Sequence, residues 1–311
     1  MTTPTLNSIT NAIKTSFIRF DHVNTLLERM GDIYTTNRDN AEAENLFIIG
    51  ESGVGKSRLL EKFVSNYPRK IHAEFTEIPV LYVKVPSTGS IDNLLGAILN
   101  SMGSPFWDKG KIASRTAQLL SLLNSCKVQM VILDEANHLI DKGGSITHHK
   151  IADWLKSLTD DAKIPFILCG IPRSLKLLDK NDQLRSRFRQ VITIRPFSME
   201  TPETQKQFYS ALKTFSKLLM EVSCIDLTSE ETAKALIYAT AGRLRDIRRL
   251  LVRSVELGFK NTKKKITYLE LSKAFAEVIF ANAPKGRNPF EKGFEAYPLI
   301  KPGEPFAPRE E

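Results

Sequence analysis

A chain of 311 residues, 42% hydrophobic and 25% charged, has ordinary globular composition and the length for about two domains. No apolar run approaches the ~20 residues of a membrane span. The opening MTTPTLNSIT lacks the basic and apolar regions of a signal peptide. Cys126, Cys169 and Cys224 are too scattered for a disulfide framework or a zinc pattern. A secreted, membrane-spanning or metal-scaffold protein is therefore not expected; a soluble cytoplasmic chain is.

Residues 1–45 read as a polar helical segment, with Phe17, Val23, Leu26, Leu27 and Met30 at roughly helical spacing. Residues 46–197 alternate short apolar runs with helical patterns. The runs are Leu46–Ile49, Pro79–Val85, Val128–Leu133, Pro165–Gly170 and Val191–Ile194. Short, continuous and bounded by Gly, Pro or charge, they fit strands buried on both faces. Strands alternating with helices imply right-handed crossovers and a parallel sheet, an α/β domain.

Residues 198–281 read as a small helical domain. Thr201 before Pro202 is an N-cap with proline at the first helical position. Thr228 with Glu231, and Thr267 with Glu270, look like capping boxes. Leu244, Ile247, Leu251 and Val255 line one face of a helix that carries Arg245, Arg248, Arg249 and Arg253 on the other, and Gly258 is placed to stop it. Residues 282–311 hold six prolines, three glycines and five charges of each sign, which reads as a disordered tail. Phe290, Phe294, Tyr297 and Phe306 are either anchors for a partner or part of a plain solvated tail.

The net charge is +9, and residues 241–270 hold nine basic against three acidic side chains, +6 of that total. Such a concentration is the footprint of a polyanion partner, nucleic acid first, or else a solvated helical face.

Gly50-Glu51-Ser52-Gly53-Val54-Gly55-Lys56-Ser57 matches the phosphate-loop pattern without departure, after a strand and before a helix. Its backbone N–H groups would cradle phosphates, Lys56 would reach the β- and γ-phosphates, and Ser57 would ligate Mg²⁺. Arg58, next in the helix, is grouped with the ATP-binding residues. Met130–Leu133 then run into Asp134 and Glu135, one carboxylate for the Mg²⁺ shell and one to polarise the attacking water. No Asn-Lys-x-Asp guanine-reading motif occurs, so ATP is expected rather than GTP.

Ser186-Arg187-Phe188-Arg189 precedes the last strand. An arginine there can stabilise transition-state charge on a neighbouring subunit's nucleotide, and Arg187 is the leading candidate over Arg185 and Arg189. Arg245, in Gly242-Arg243-Leu244-Arg245, is placed to fold back onto the γ-phosphate, with Arg243 as substitute. His138, His148 and His149 have no accompanying ligand pattern, and Trp154 and Leu158 read as core.

The phosphate loop, the Asp-Glu strand, the Ser-Arg-Phe box and the helical Gly-x-x-Arg together resemble the AAA+ ATPases. More narrowly the chain is similar to the TniB/TnsC transposition regulators, related to MuB and IstB. The narrower likeness rests on Pro79–Pro86 with Gly103-Ser104-Pro105, on Asp134–Leu139, and on Ile164–Pro172. It implies a P-loop AAA+ sheet of order 5-1-4-3-2 with a small C-terminal helical lid. It also implies an ATP- and Mg²⁺-dependent ring or filament of this chain on double-stranded DNA, presented to a transposase and a target-selection protein.

In such regulators the segment between the second strand and the Asp-Glu strand faces DNA. Ser90, Lys109, Lys111 and Arg115 are the expected contacts there, with Lys150 a weaker one. One departure stands out: Cys169 and Gly170 occupy the strand end where many AAA+ proteins carry a polar sensor. A thiol is a weak hydrogen bonder, which suits slow, switch-like turnover. A helicase loader or replication ATPase of the IstB/DnaC kind, or a signalling or secretion ATPase with a protein partner, shares the same ATP residues.

Overall fold

The computed structural model of the chain describes residues 5–36, 43–142, 144–220, 222–260 and 265–308. Parts of the expected N-terminal segment (1–4 and 37–42), Lys263, Lys264 and the last three residues lie outside that set. The chain divides into two compact units, Thr25–Glu51 with Lys56–Ile194, and Met1–Asn24 with Ser52–Gly55 and Arg195–Glu311. The N-terminal segment is therefore shared between two units rather than standing apart.

The helices, in chain order, are α1 (Leu6–Thr15), α2 (Asp21–Thr36), α3 (Lys56–Val64), α4 (Ile91–Ser101), α5 (Ile112–Ser125) and α6 (Ser145–Ala162). After them come α7 (Asp182–Arg187), α8 (Pro202–Leu218), α9 (Glu230–Thr240), α10 (Leu244–Lys260) and α11 (Tyr268–Val278). The five apolar runs are strands β1 (Leu46–Gly50), β2 (Val80–Lys84), β3 (Met130–Asp134), β4 (Phe166–Gly170) and β5 (Gln190–Ile194). All pair in parallel, in the order β2-β3-β4-β1-β5. From the other edge this is the 5-1-4-3-2 order that the AAA+ resemblance implies.

Side chains alternate across a strand, and the alternation sorts this sheet into two buried faces. Phe47, Ile49, Leu81, Val83, Val131, Leu133 and Leu168 join one cluster with Leu94, Leu95, Leu119, Leu123, Leu155 and Leu158 of α4, α5 and α6. The alternate residues Leu46, Ile48, Ile132 and Ile167 are also fully buried. Burial on both faces explains why the inner strands read as continuous apolar runs. Each such side chain contributes roughly 1.5–3 kcal/mol. The edge strand β5 instead leaves Val191 and Thr193 exposed. Asn45 secures the start of β1 by accepting the Phe166 N–H at 2.8 Å.

In the helical unit, α10 packs against α1 and α11, burying Leu244, Ile247, Leu251 and Val255. The Thr201 and Thr267 caps form as expected. Two local expectations are corrected. Ser229 caps α9, accepting the Thr232 N–H at 3.3 Å, because Thr228 is taken by Asp226. Gly258 does not end α10, which continues to Lys260. Its missing side chain instead lets the Lys265 carbonyl approach, 3.0 Å from where a Cβ would stand.

The larger correction concerns the C-terminal stretch, which is packed rather than disordered through residue 308. Phe290 packs edge-on to Phe275 and tilted beside Tyr268, Phe294 meets Tyr238, and Leu299 is buried. The organiser is Arg287, itself buried. Its guanidinium grips the Glu304 carboxylate at 2.6 and 3.0 Å and donates to the carbonyls of Glu295, Tyr297 and Pro298. One polar hub thus replaces the apolar core that the composition lacks.

Arg287→Ala should release this stretch, since removing one partner of a buried pair costs about 3–5 kcal/mol. Hydrogen exchange should rise sharply across residues 286–306 while the sheet stays protected. The Arg287 hydrogen bond also holds the Glu304 carboxyl below its ordinary value. A depressed carboxyl adds stability at neutral pH that is lost as pH falls through its folded value. The segment should therefore loosen in acid and not in mild base.

Candidate nucleotide and DNA site

Parallel strands bring their C-terminal ends to one edge, where ligands of open α/β sheets bind. In the sheet unit, β1 ends at Gly50 and α3 begins at Lys56. The Lys56 side chain is buried and its ammonium donates to the carbonyls of Gly50 at 2.8 Å and Glu51 at 2.9 Å. Ser57 and Arg58 lie in the first turn of α3, and Arg58 stands 4.0 Å from Glu61.

Ser52–Gly55 are grouped with the helical unit, and there Arg245 meets them. Its backbone N–H donates to the Gly53 carbonyl at 2.9 Å, and its guanidinium to the Ser52 hydroxyl at 3.2 Å. Gly53 and Gly55 have φ of +87° and +108°, a region that side chains disfavour. A Cβ on Gly53 would also stand 3.2 Å from Arg245, and one on Gly55 3.3 Å from Leu244. The backbone conformation thus calls for glycine at both positions, and the tight clearance adds to it.

Asp134, at the end of β3, is fully buried. A buried carboxylate is costly unless its oxygens are hydrogen-bonded. Oδ2 accepts from the Tyr82 hydroxyl at 2.9 Å, and Oδ1 from the Glu135 N–H at 2.8 Å. Burial, followed by the Asp134 charge, pushes the Cys169 thiol on β4 well up. Glu135 has φ 59° and ψ 40°, left-handed for a residue with a side chain. Such a residue costs of order 1–3 kcal/mol and clusters at functional sites. The Ser57 hydroxyl and Asp134 carboxylate are hard oxygen donors, a set that fits Mg²⁺.

Of the three candidate finger arginines, Arg187 pairs with Asp160 at 2.8 Å and Arg185 with Asp179 at 2.8 Å. Exposed Arg189 donates to the Ser186 carbonyl at 3.0 Å.

Among the expected DNA contacts, Lys109 and Lys111 are exposed, and Lys109 lies 5.7 Å from the Phe106 ring. Ser90 caps α4, accepting the Asn93 N–H at 3.1 Å. Arg115 is a correction. It is 3% exposed, pairs with Asp92 and donates to the Trp107 carbonyl. It holds the 104–111 loop to α4 and has no face left for a phosphate. Sequence reasoning missed Tyr82, whose place in an apolar run disguised it as a strand former. His138 bonds Asp141 at 2.8 Å, and no cluster of metal-binding side chains occurs among the described residues. Nor is any described helix long and apolar enough to cross a membrane.

Arg115→Ala should lower stability by about 1.5–3 kcal/mol, the range for hydrogen bonds to charged groups. Lys109→Ala should stay within about 0.5 kcal/mol of the parent, as exposed substitutions do. Urea midpoints of the two variants check the contrast.

A family model described as bacterial TniB protein matches residues 9–198. An ORC1-type DNA replication protein 1 from Sulfolobus acidocaldarius is 25% identical over 268 residues, 84% of this chain. The chain spans only 62% of that relative's length. Among solved structures, Cdc6p from Pyrobaculum aerophilum superposes with a TM-score of 0.65 at 18% identity, covering 88% of this chain and 72% of that one. The Aeropyrum pernix ORC1 protein in complex with DNA gives 0.60 at 14% identity, covering 87% and 68%. At these identities the structures establish a shared fold.

Proposed function

The chain belongs to the bacterial TniB family, and from that membership we propose that it is an ATP-driven, DNA-binding regulator of transposition. In this reading ATP drives many copies to assemble on duplex DNA, and the assembly recruits a transposase and a target-selection protein. Hydrolysis takes it apart.

The carrying observation is the intact phosphate loop after β1 together with the buried Asp134 and the adjoining Glu135 at the end of β3. Lys56 and the loop N–H groups bind the phosphates, Ser57 and Asp134 hold Mg²⁺, and Glu135 takes a proton from the attacking water. Held there, the metal would supply charge neutralisation for the bound phosphates. Arg245, seated on Ser52 and Gly53, reports the nucleotide state. Arg187 serves a neighbouring copy, which requires release of its bond to Asp160.

Lys109 and Lys111, with the Ser90 hydroxyl, grip phosphates without reading bases. The overall charge of +9 supports that assignment. One specific observation favours a second reading, a replication-type ATPase: the ORC1-type relative matches across most of the chain. Pull-down of a transposase against a replicative helicase separates the two.

Lys56→Ala should abolish ATP binding, and Glu135→Gln should keep binding while turnover stops. Unchanged steady-state hydrolysis in Glu135→Gln would refute its role. Lys109→Ala with Lys111→Ala should weaken binding equally across duplex sequences. It should also flatten the log-log salt slope by about 0.9 for each phosphate that is no longer neutralised. Anisotropy across a salt series, with and without ATP, reads both. An unchanged affinity and slope would move the DNA surface to Arg248, Arg249 and Lys265.

A further inference from the structure

Tyr82 has no part in any motif, yet its hydroxyl meets a carboxylate buried at the nucleotide end of the sheet. In β2, Leu81 and Val83 enter the core cluster with α4 and α5. Tyr82 and Lys84 therefore share the opposite face. The register pairs Tyr82 with Ile132 and Lys84 with Asp134. Asp134 thus lies on the same face as Tyr82, one diagonal step along, and the phenol bridges that step to Oδ2 at 2.9 Å.

The neighbouring charges leave this bond to Tyr82. Lys84, directly opposite Asp134, is exposed and turns to Glu61 of α3 at 3.8 Å. Cys169 approaches from β4, but a thiol is a weak donor. The Glu135 N–H fixes Oδ1 only. An ionised carboxylate offers about four lone-pair sites, so these donors leave capacity on Asp134 for a metal ion.

We propose that Tyr82 is a positioning residue for Mg²⁺: by donating to Asp134 it fixes the orientation of the carboxylate and so sets the site's affinity for the metal. The inference rests on Asp134 as a metal ligand and is independent of DNA or transposition. A phenylalanine would fill the same space, so packing alone does not account for the hydroxyl. Partners one bond removed from a metal ligand typically govern affinity by 10–100-fold.

The test uses the full chain and its Tyr82→Phe variant. A fluorescent ATP analogue is titrated in EDTA and then across a Mg²⁺ series, and Mn²⁺ bound in the nucleotide complex is counted by electron paramagnetic resonance. Nucleotide affinity in EDTA should be unchanged, while the Mg²⁺ midpoint rises at least about tenfold and Mn²⁺ binding weakens in parallel. In an Asp134→Asn background, removing the hydroxyl should change the midpoint by less than about twofold, because the coupled partner is gone. An unmoved Mg²⁺ midpoint in Tyr82→Phe would overturn the proposal. So would equal weakening with EDTA and with Mg²⁺, which marks a structural role. Wild-type nucleotide binding that ignores Mg²⁺ would overturn the assignment of Asp134 itself, whatever the DNA experiments give.

Discussion

The sheet unit is organised around a buried carboxylate. Asp134 is fully buried at the end of a central strand, where an unpaired charge would be prohibitively costly. Its neighbours are arranged to meet that cost: a phenol from β2 and the N–H of the next residue, with the buried Cys169 of β4 alongside. Those neighbours require β2, β3 and β4 to be adjacent and in register, so the order of the sheet and the chemistry of its edge are one constraint. Glu135 continues it, because the left-handed turn that carries the chain out of β3 begins at that residue.

A second constraint belongs to the helical unit. Arg245 and Leu244 at the start of α10 approach Ser52–Gly55 so closely that a Cβ on Gly53 or Gly55 would stand only 3.2 or 3.3 Å from their side chains. The glycines of a phosphate loop are usually credited to the backbone turn alone. Here they also admit the start of a helix from nearly two hundred residues downstream.

The sheet was legible in the sequence because its strands are buried on both faces and bounded by turn residues, as Leu46–Gly50 and Phe166–Gly170 illustrate. The phosphate loop and the Asp-Glu pair were legible because spacing alone carries their chemistry. What escaped was whatever depends on distant partners. Arg287 organises the C-terminal stretch through Glu304 and three carbonyls, none visible in a composition count. Arg115 looked like a free cation until Asp92 and Trp107 closed around it. Thr228 and Ser229 were equivalent caps on paper, and Asp226 decided between them. Tyr82 read as one more residue of an apolar strand, since nothing local marks which hydroxyl will face a carboxylate.

The central claim is that nucleotide state controls assembly of this chain on duplex DNA. Sedimentation velocity with a long duplex, comparing a slowly hydrolysed ATP analogue with ADP, tests it most directly. The account predicts large protein–DNA species with the ATP analogue that dissolve to free protein and free duplex with ADP. Identical sedimentation in the two nucleotides, or no association with DNA in either, would contradict it.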